Sequence, residues 1–164
     1  PNYMANDVLV DDILKYSDNK NFLDSIGIVD RSSFYRKHFC EPSSPFYINQ
    51  TEGKKDIFYV TSLIHQAGGL AFLAHPFVYN LPNIKETLDE IVSFDIIDGI
   101  ECAHRKHNEE QINFLINYCN KHNLKKSGGS DFHIDNHFLG YANKGNSIIS
   151  YDLVKDWIEL VKKF

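Results

Sequence analysis

Two rhythms of apolar positions divide the chain near residue 55. Upstream, Leu9, Ile13 and Tyr16 keep helical spacing, Ser17-Asp18-Asn19 makes a turn, and Phe22, Leu23 and Ile26 lead to Gly27. Asp30 is placed to cap a further helix carrying Phe34, Tyr35, His38 and Phe39, and Glu41-Pro42-Ser43-Ser44-Pro45 closes this region with a loop. Downstream, helix and strand alternate. Ile57, Val60, Leu63, Ile64 and Ala67 fall on one helical stripe that Gly68-Gly69 stops. Leu70–Ala74 reads as a short buried strand ending at His75-Pro76. Ile84, Leu88, Ile91 and Val92 mark the next helix, and Gly99–Cys102 the next strand. Asn108 and Gln111 form a capping-box pair ahead of Ile112, Leu115, Ile116 and Cys119. Lys125–Gly128 and Asn146–Ile149 are further strands, and Ser150 caps a last helix with Val154, Trp157, Ile158 and Val161 inward.

Strands separated by helices of this length pair in parallel through right-handed crossovers, and such sheets carry ligands at the C-terminal ends of their strands. His75, Glu101 with His104, and Asp131 with His133 all fall at or just past such ends. Four or so short strands cannot close a barrel, and an open edge is a liability. The chain therefore reads as the second half of something larger.

Composition narrows the chemistry. Of 164 residues, 43% are hydrophobic and 13% aromatic, enough for a packed core and against disorder. Seventeen basic against 22 acidic residues give a net charge of −5, which leaves no basic surplus for a phosphate backbone. A charged substrate would need a local cation. No apolar run reaches membrane-spanning length, and the N-terminus does not read as a signal peptide. Cys40, Cys102 and Cys119 are odd in number and widely spaced, which points to free thiols and a cytoplasmic location.

The eight histidines carry the site candidates. Asp131 and His133 follow Gly128-Gly129, where a strand-end D-x-H can aim both side chains to one side. A carboxylate with imidazoles suits zinc, manganese or iron; the same residues also fit a turn aspartate capping a backbone amide beside an exposed histidine. His75 stands where Pro76 forces the strand to exit, and also fits a hydrogen-bonded core histidine. Glu101, His104 and His107 are interleaved with Arg105 and Lys106, a pattern that serves ligation, proton donation or phosphate contact, and equally a solvated helix entry. His38, His65 and His122 sit on helices as structural or surface residues, and His137 lies in a polar loop. No Walker loop, G-x-S-x-G, H-E-x-x-H or dinucleotide fingerprint is present.

Three segments together resemble a known family. Gly68-Gly69-Leu70-Ala71-Phe72-Leu73-Ala74-His75-Pro76, Gly99-Ile100-Glu101 and Ser127-Gly128-Gly129-Ser130-Asp131-Phe132-His133 are similar, in order and spacing, to later motifs of the polymerase-and-histidinol-phosphatase (PHP) superfamily. The likeness covers roughly residues 55–164. Residues 8–50, with Pro45-Phe46-Tyr47, look more loosely like the helical insertion of its stand-alone phosphoesterase branch.

The resemblance implies an α/β fold: a partial distorted (βα)7 barrel over 55–164, with a helical insertion subdomain and linker over 1–54. It implies His75, Asp131 and His133 as metal ligands, His107 as a proton donor or phosphate contact, and Arg105 as a phosphate contact. Two or three divalent ions (manganese, zinc or iron) would serve hydrolysis of phosphate monoesters of nucleotides or RNA 5′ ends. The family's early H-x-H and T-D-H motifs are absent. The chain is therefore expected to be truncated, weakly active or inactive alone, and completed by N-terminal strands from the same gene or another chain. Two alternatives are a one-metal hydrolase using His75, Asp131 and His133, and a non-enzymatic assembly module whose sheet edge pairs with another chain.

Overall fold

A computed structural model describes residues 5–27, 34–47, 49, 52–132 and 149–161. The chain divides into two units, Pro1–Lys54 and Lys55–Phe164.

In the first unit, α1 (Ala5–Leu14) and α2 (Ser17–Ser25) are followed by a π-helical turn at Tyr35–Phe39. Asn19 Nδ2 donates to the Ile13 carbonyl at 2.9 Å across the turn between the two helices. Gly27, at φ +75°, takes the left-handed backbone that ends α2. The core here is Val10, Leu23, Phe34 and Phe39, with Ile13, Ile26 and Phe46 packed against it. Phe34 is fully buried, 5.1 Å from the Phe39 ring and 5.2 Å from that of Phe46. The cap expected at Asp30 lies outside the described residues.

In the second unit, α3 (Ile57–Gln66) starts where Asp56 Oδ1 accepts the Tyr59 amide at 2.8 Å. The apolar stripe read from the sequence is present but uncovered: Val60 is 44% and Leu63 47% exposed. Periodicity says which face is apolar, not whether anything packs on it.

Three strands follow, β1 (Phe72–Leu73), β2 (Gly99–His104) and β3 (Lys125–Gly129), all parallel and in that spatial order. The crossovers are α4 (Ile84–Ser93) and α5 (Glu109–His122), and α6 (Tyr151–Val161) comes last. Side chains alternate across the sheet. Leu73, Ile100 and Cys102 face a core shared with Leu88 of α4 and with Leu115, Tyr118 and Cys119 of α5. On the other face, Phe72 lies 5.1 Å from Trp157 of α6, whose indole donates to the Lys126 carbonyl at 2.8 Å. Helices thus cover both faces of the sheet. The expected capping box is present in both directions at 2.9 Å between Asn108 and Gln111.

The expected partial (βα)7 barrel is corrected by this sheet, which among the described residues is open and has three strands. Its taper has a local cause. The Ala71 amide is taken by the Asp98 carboxylate at 2.7 Å, and its carbonyl accepts the Asp98 amide at 2.8 Å. At the other end, His75 turns out of the strand at φ +27°. Only Phe72 and Leu73 remain as ladder residues beside a six-residue β2. The strand expected at Asn146–Ile149 lies, apart from Ile149, outside the described residues. Among the described residues, no helix is long and apolar enough to cross a membrane.

Candidate functional site

The C-terminal ends of β1 and β2 bring imidazoles together. The His75 ring centroid is 5.0 Å from that of His104, which is 5.3 Å from that of His107. Three local features set this row. First, His75 leaves β1 with a left-handed backbone, a conformation that costs a non-glycine residue about 1–2 kcal/mol. The Glu101 carboxylate holds it there, accepting the His75 amide at 2.8 Å. Second, β2 carries an irregularity between Glu101 and Ala103, after which Ala103 and His104 pair with Gly128 and Gly129. Cys102, Ala103 and His104 are consequently all buried. Third, His107 Nδ1 donates to the Cys102 carbonyl at 2.9 Å as the chain turns toward α5.

Their tautomers follow from these partners. His104 Nδ1 accepts the Lys106 amide at 3.2 Å, so the neutral ring carries its proton on Nε2. The neutral His107 ring, donating through Nδ1, presents a lone pair at Nε2. Burial, followed by the neighbouring His107 and His75 imidazoles, pushes the His104 pKa down to about 4, against an opposing pull from Asp131. His104 is therefore neutral at neutral pH.

Among the described residues, four buried nitrogens at these strand ends have no hydrogen-bond partner: His75 Nδ1, His104 Nε2, Arg105 Nε and His107 Nε2. An unpaired buried polar atom costs roughly 1–3 kcal/mol, so four in one place mark an unsatisfied site. Arg105 Nη2 also lies 3.6 Å from the carboxylate of Asp131, which follows β3 with φ +53°.

The sequence-named residues are distributed accordingly. His75, Arg105, His107 and Asp131 all lie at the strand ends, while His133 lies outside the described residues. The sequence placed His104 with Glu101 at a strand end and weighed it alongside His107; in the structure it is the middle ring of the row. Its signal was an H-x-x-H spacing around an arginine at a strand end.

Among the described residues, no three His, Cys, Asp or Glu side chains are placed to hold a metal ion. Asp131, one expected ligand, meets the Arg105 guanidinium instead. His75 and Asp131 by themselves do not make such a site.

No family model matches the chain. Over 111 residues it is 34% identical to a 5′-3′ exoribonuclease of Haemophilus influenzae, a match covering 66% of this chain and 38% of that protein. Over 119 residues it is 30% identical to a 3′,5′-nucleoside bisphosphate phosphatase of Chromobacterium violaceum, covering 70% and 39%. The chain thus spans under two fifths of the length of these curated relatives. Two solved structures share its fold over about half their length. One is an amidohydrolase of Chromobacterium violaceum with bound sulfate and no metal, with a TM-score of 0.55, 24% identity and coverage of 82% of this chain and 48% of that one. The other is a protein of Bifidobacterium adolescentis provisionally named a metal-dependent phosphoesterase, with a TM-score of 0.58, 25% identity and coverage of 89% and 54%.

The superfamily reading is corrected by these findings. Among the described residues, an open three-stranded sheet with no three-donor group, together with the lack of a matching family model, does not make a PHP domain or a TIM-like barrel. The metal-dependent phosphoesterase activity, and the enzyme and metal-binding assignments drawn from it, are withdrawn with it. The one-metal alternative needs His133, outside the described residues.

Proposed function

We propose that the second unit is a phosphate-recognition module, and that its imidazole row with Arg105 receives the phosphate of a nucleotide or of an RNA 5′ end. One observation carries the reading: four partnerless buried nitrogens at the ends of β1 and β2. Two of them, Arg105 Nε–H and His104 Nε2–H, are donors, and donors with a guanidinium charge suit phosphate oxygens. The need is local, because the chain as a whole carries a charge of −5. The names of the two curated relatives, an exoribonuclease and a nucleoside bisphosphate phosphatase, support a nucleotide or RNA as the carrier of that phosphate.

Divalent manganese, zinc or iron enters this reading as a companion of the phosphate; dialysis with and without phosphate measures its uptake. The buried Cys102 and Cys119, neither in a disulfide, support a reducing, cytoplasmic setting.

The test is calorimetric titration with methyl phosphate and with a short RNA bearing either a 5′-phosphate or a 5′-hydroxyl. Methyl phosphate binds, the phosphorylated RNA binds tighter than its hydroxyl twin, and Arg105→Ala weakens both by about tenfold or more through a lost charged hydrogen bond. Equal affinity for the two RNAs, or an Arg105→Ala protein that binds as wild type does, refutes the reading.

A further inference from the structure

Next to the imidazole row, across Phe77, lies a cavity of about 470 Å³, within the range of small-molecule sites. Phe77 joins the two. Its ring meets His107 edge-on at 5.6 Å and Phe114 edge-on at 5.8 Å, and both phenylalanines line the cavity. The opening thus has an aromatic wall directly beside the proposed phosphate position.

Its polar lining is biased toward donors. Four polar side chains border it, Asn80, Asn83, Lys85 and Gln111. Gln111 Oε1 is engaged by the Asn108 amide at 2.9 Å, which leaves the Gln111 NH2 group for the cavity. Asn83 Oδ1 accepts the Glu86 amide at 3.4 Å at the start of α4, which likewise leaves an NH2 group. Lys85 is an ammonium with no acceptor capacity, steadied by Asp89 at 2.6 Å. Helix capping thus engages the carbonyl ends of two of the three amides and leaves their NH2 groups toward the cavity, while Asn80 brings both a donor and an acceptor.

Resting on the phosphate reading above, we infer that this cavity is a nucleobase subsite that selects rings with a carbonyl oxygen at the recognised edge. A flat ring packs on the phenylalanines, and its exocyclic carbonyl oxygen accepts from the Gln111 and Asn83 amides. Uracil and hypoxanthine meet that requirement. Cytosine and adenine carry an amino group at the equivalent position and would set donor against donor.

Nucleosides without phosphate isolate this subsite from the phosphate site. Titrations monitored by NMR compare uridine with cytidine and inosine with adenosine, pairs that differ in an oxo or an amino group. Uridine and inosine bind up to about tenfold tighter than their partners, the worth of about one hydrogen bond. Gln111→Glu is the informative variant. Glutamate is an ordinary capping-box residue at this position, so α5 keeps its start while the cavity exchanges a donor for an acceptor. The variant abolishes or reverses the preference within each pair, with its circular dichroism unchanged. Equal affinities within both pairs, no nucleoside binding, or a preference untouched by Gln111→Glu overturns the inference. Methyl phosphate in parallel keeps the two claims apart: binding of methyl phosphate with no oxo preference sinks the base subsite alone, and oxo-selective nucleoside binding without methyl phosphate binding sinks the phosphate reading alone.

Discussion

The Glu101 carboxylate accepts the backbone N–H of His75 at 2.8 Å, and so joins the central strand to the loop leaving its neighbour. The other oxygen of the same carboxylate lies 2.9 Å from where a side chain on Gly129 would begin, so the group spans from β1 toward β3. Its work is positional. It offsets the left-handed backbone of His75 at φ +27° and thereby fixes the first imidazole of the row. Glu101→Ala should destabilise the protein by about 2 kcal/mol, the range for a hydrogen bond to a charged group. It should also weaken methyl phosphate binding, and Glu101→Gln, which keeps one acceptor oxygen, should recover part of both. Urea unfolding and calorimetry measure the two effects. An alanine variant with unaltered phosphate affinity would separate this hydrogen bond from the site.

Gly99 is needed for a different reason. A Cβ built on it would sit 2.5 Å from the Lys125 carbonyl and press against the Phe72 ring, which is itself wedged beside Trp157. The carbonyl is backbone and cannot step aside without shifting β3. Gly99→Ala is expected to cost about 3 kcal/mol or more, at the upper end of overpacking effects. Gly53→Ala is a useful contrast: nothing lies within 4 Å of its added Cβ, so only the backbone penalty of its φ of +75° remains. The urea midpoints of the two variants should differ clearly, with Gly99→Ala the lower.

What the chain states openly is local. Asn108 and Gln111 announce the start of α5 because a capping box is completed within four residues. The stripe of Leu88, Leu115 and Cys119 is legible because helical period and burial coincide there. The same rule misleads at Val60 and Leu63, whose spacing is equally regular but whose face is exposed. Motif likeness around His75 and Asp131 says nothing of how many strands will pair, and it led to a barrel where three strands form an open sheet. His104 was undervalued because its placement depends on the irregularity after Glu101, a property of two-strand register that a single-chain pattern does not encode. The Asp98 carboxylate shortening β1 is likewise a contact across 27 positions.

Trp157 offers a test of how α6 is held. Its indole N–H donates to the Lys126 carbonyl at 2.8 Å, and its ring packs at 5.1 Å on Phe72. Trp157→Phe keeps much of the aromatic contact and loses the donor, so it should cost about 1 kcal/mol. Trp157→Ala loses both and should cost about 3 kcal/mol or more. Amide exchange at β3 should quicken in the same order. If the phenylalanine variant were as unstable as the alanine one, the hydrogen bond and not the packing would anchor the helix.

Asp98 gives the fold a defined acid sensitivity. Burial tends to raise its pKa, but the Ala71 amide at 2.7 Å and the His65 ring at 2.8 Å outweigh that and hold it below the usual carboxylate value. The folded protein therefore releases this proton more readily than the unfolded chain does. As pH falls, the unfolded chain is protonated first, near the ordinary value of about 4, and the stabilisation is lost as pH drops through the lower folded value. Above that window the contribution is fully present. Asp98→Asn should thus be less stable than wild type at pH 7 by about 1–2 kcal/mol, the worth of the charged hydrogen bonds it weakens. The gap should narrow steadily between about pH 5 and pH 3 as wild-type Asp98 becomes neutral. Urea midpoints of both proteins across that range measure it, and because other carboxylates titrate alike in the two, their difference isolates this group. A gap that stays constant down to pH 3 would mean that Asp98 acts through shape and hydrogen-bond geometry, with its charge contributing nothing.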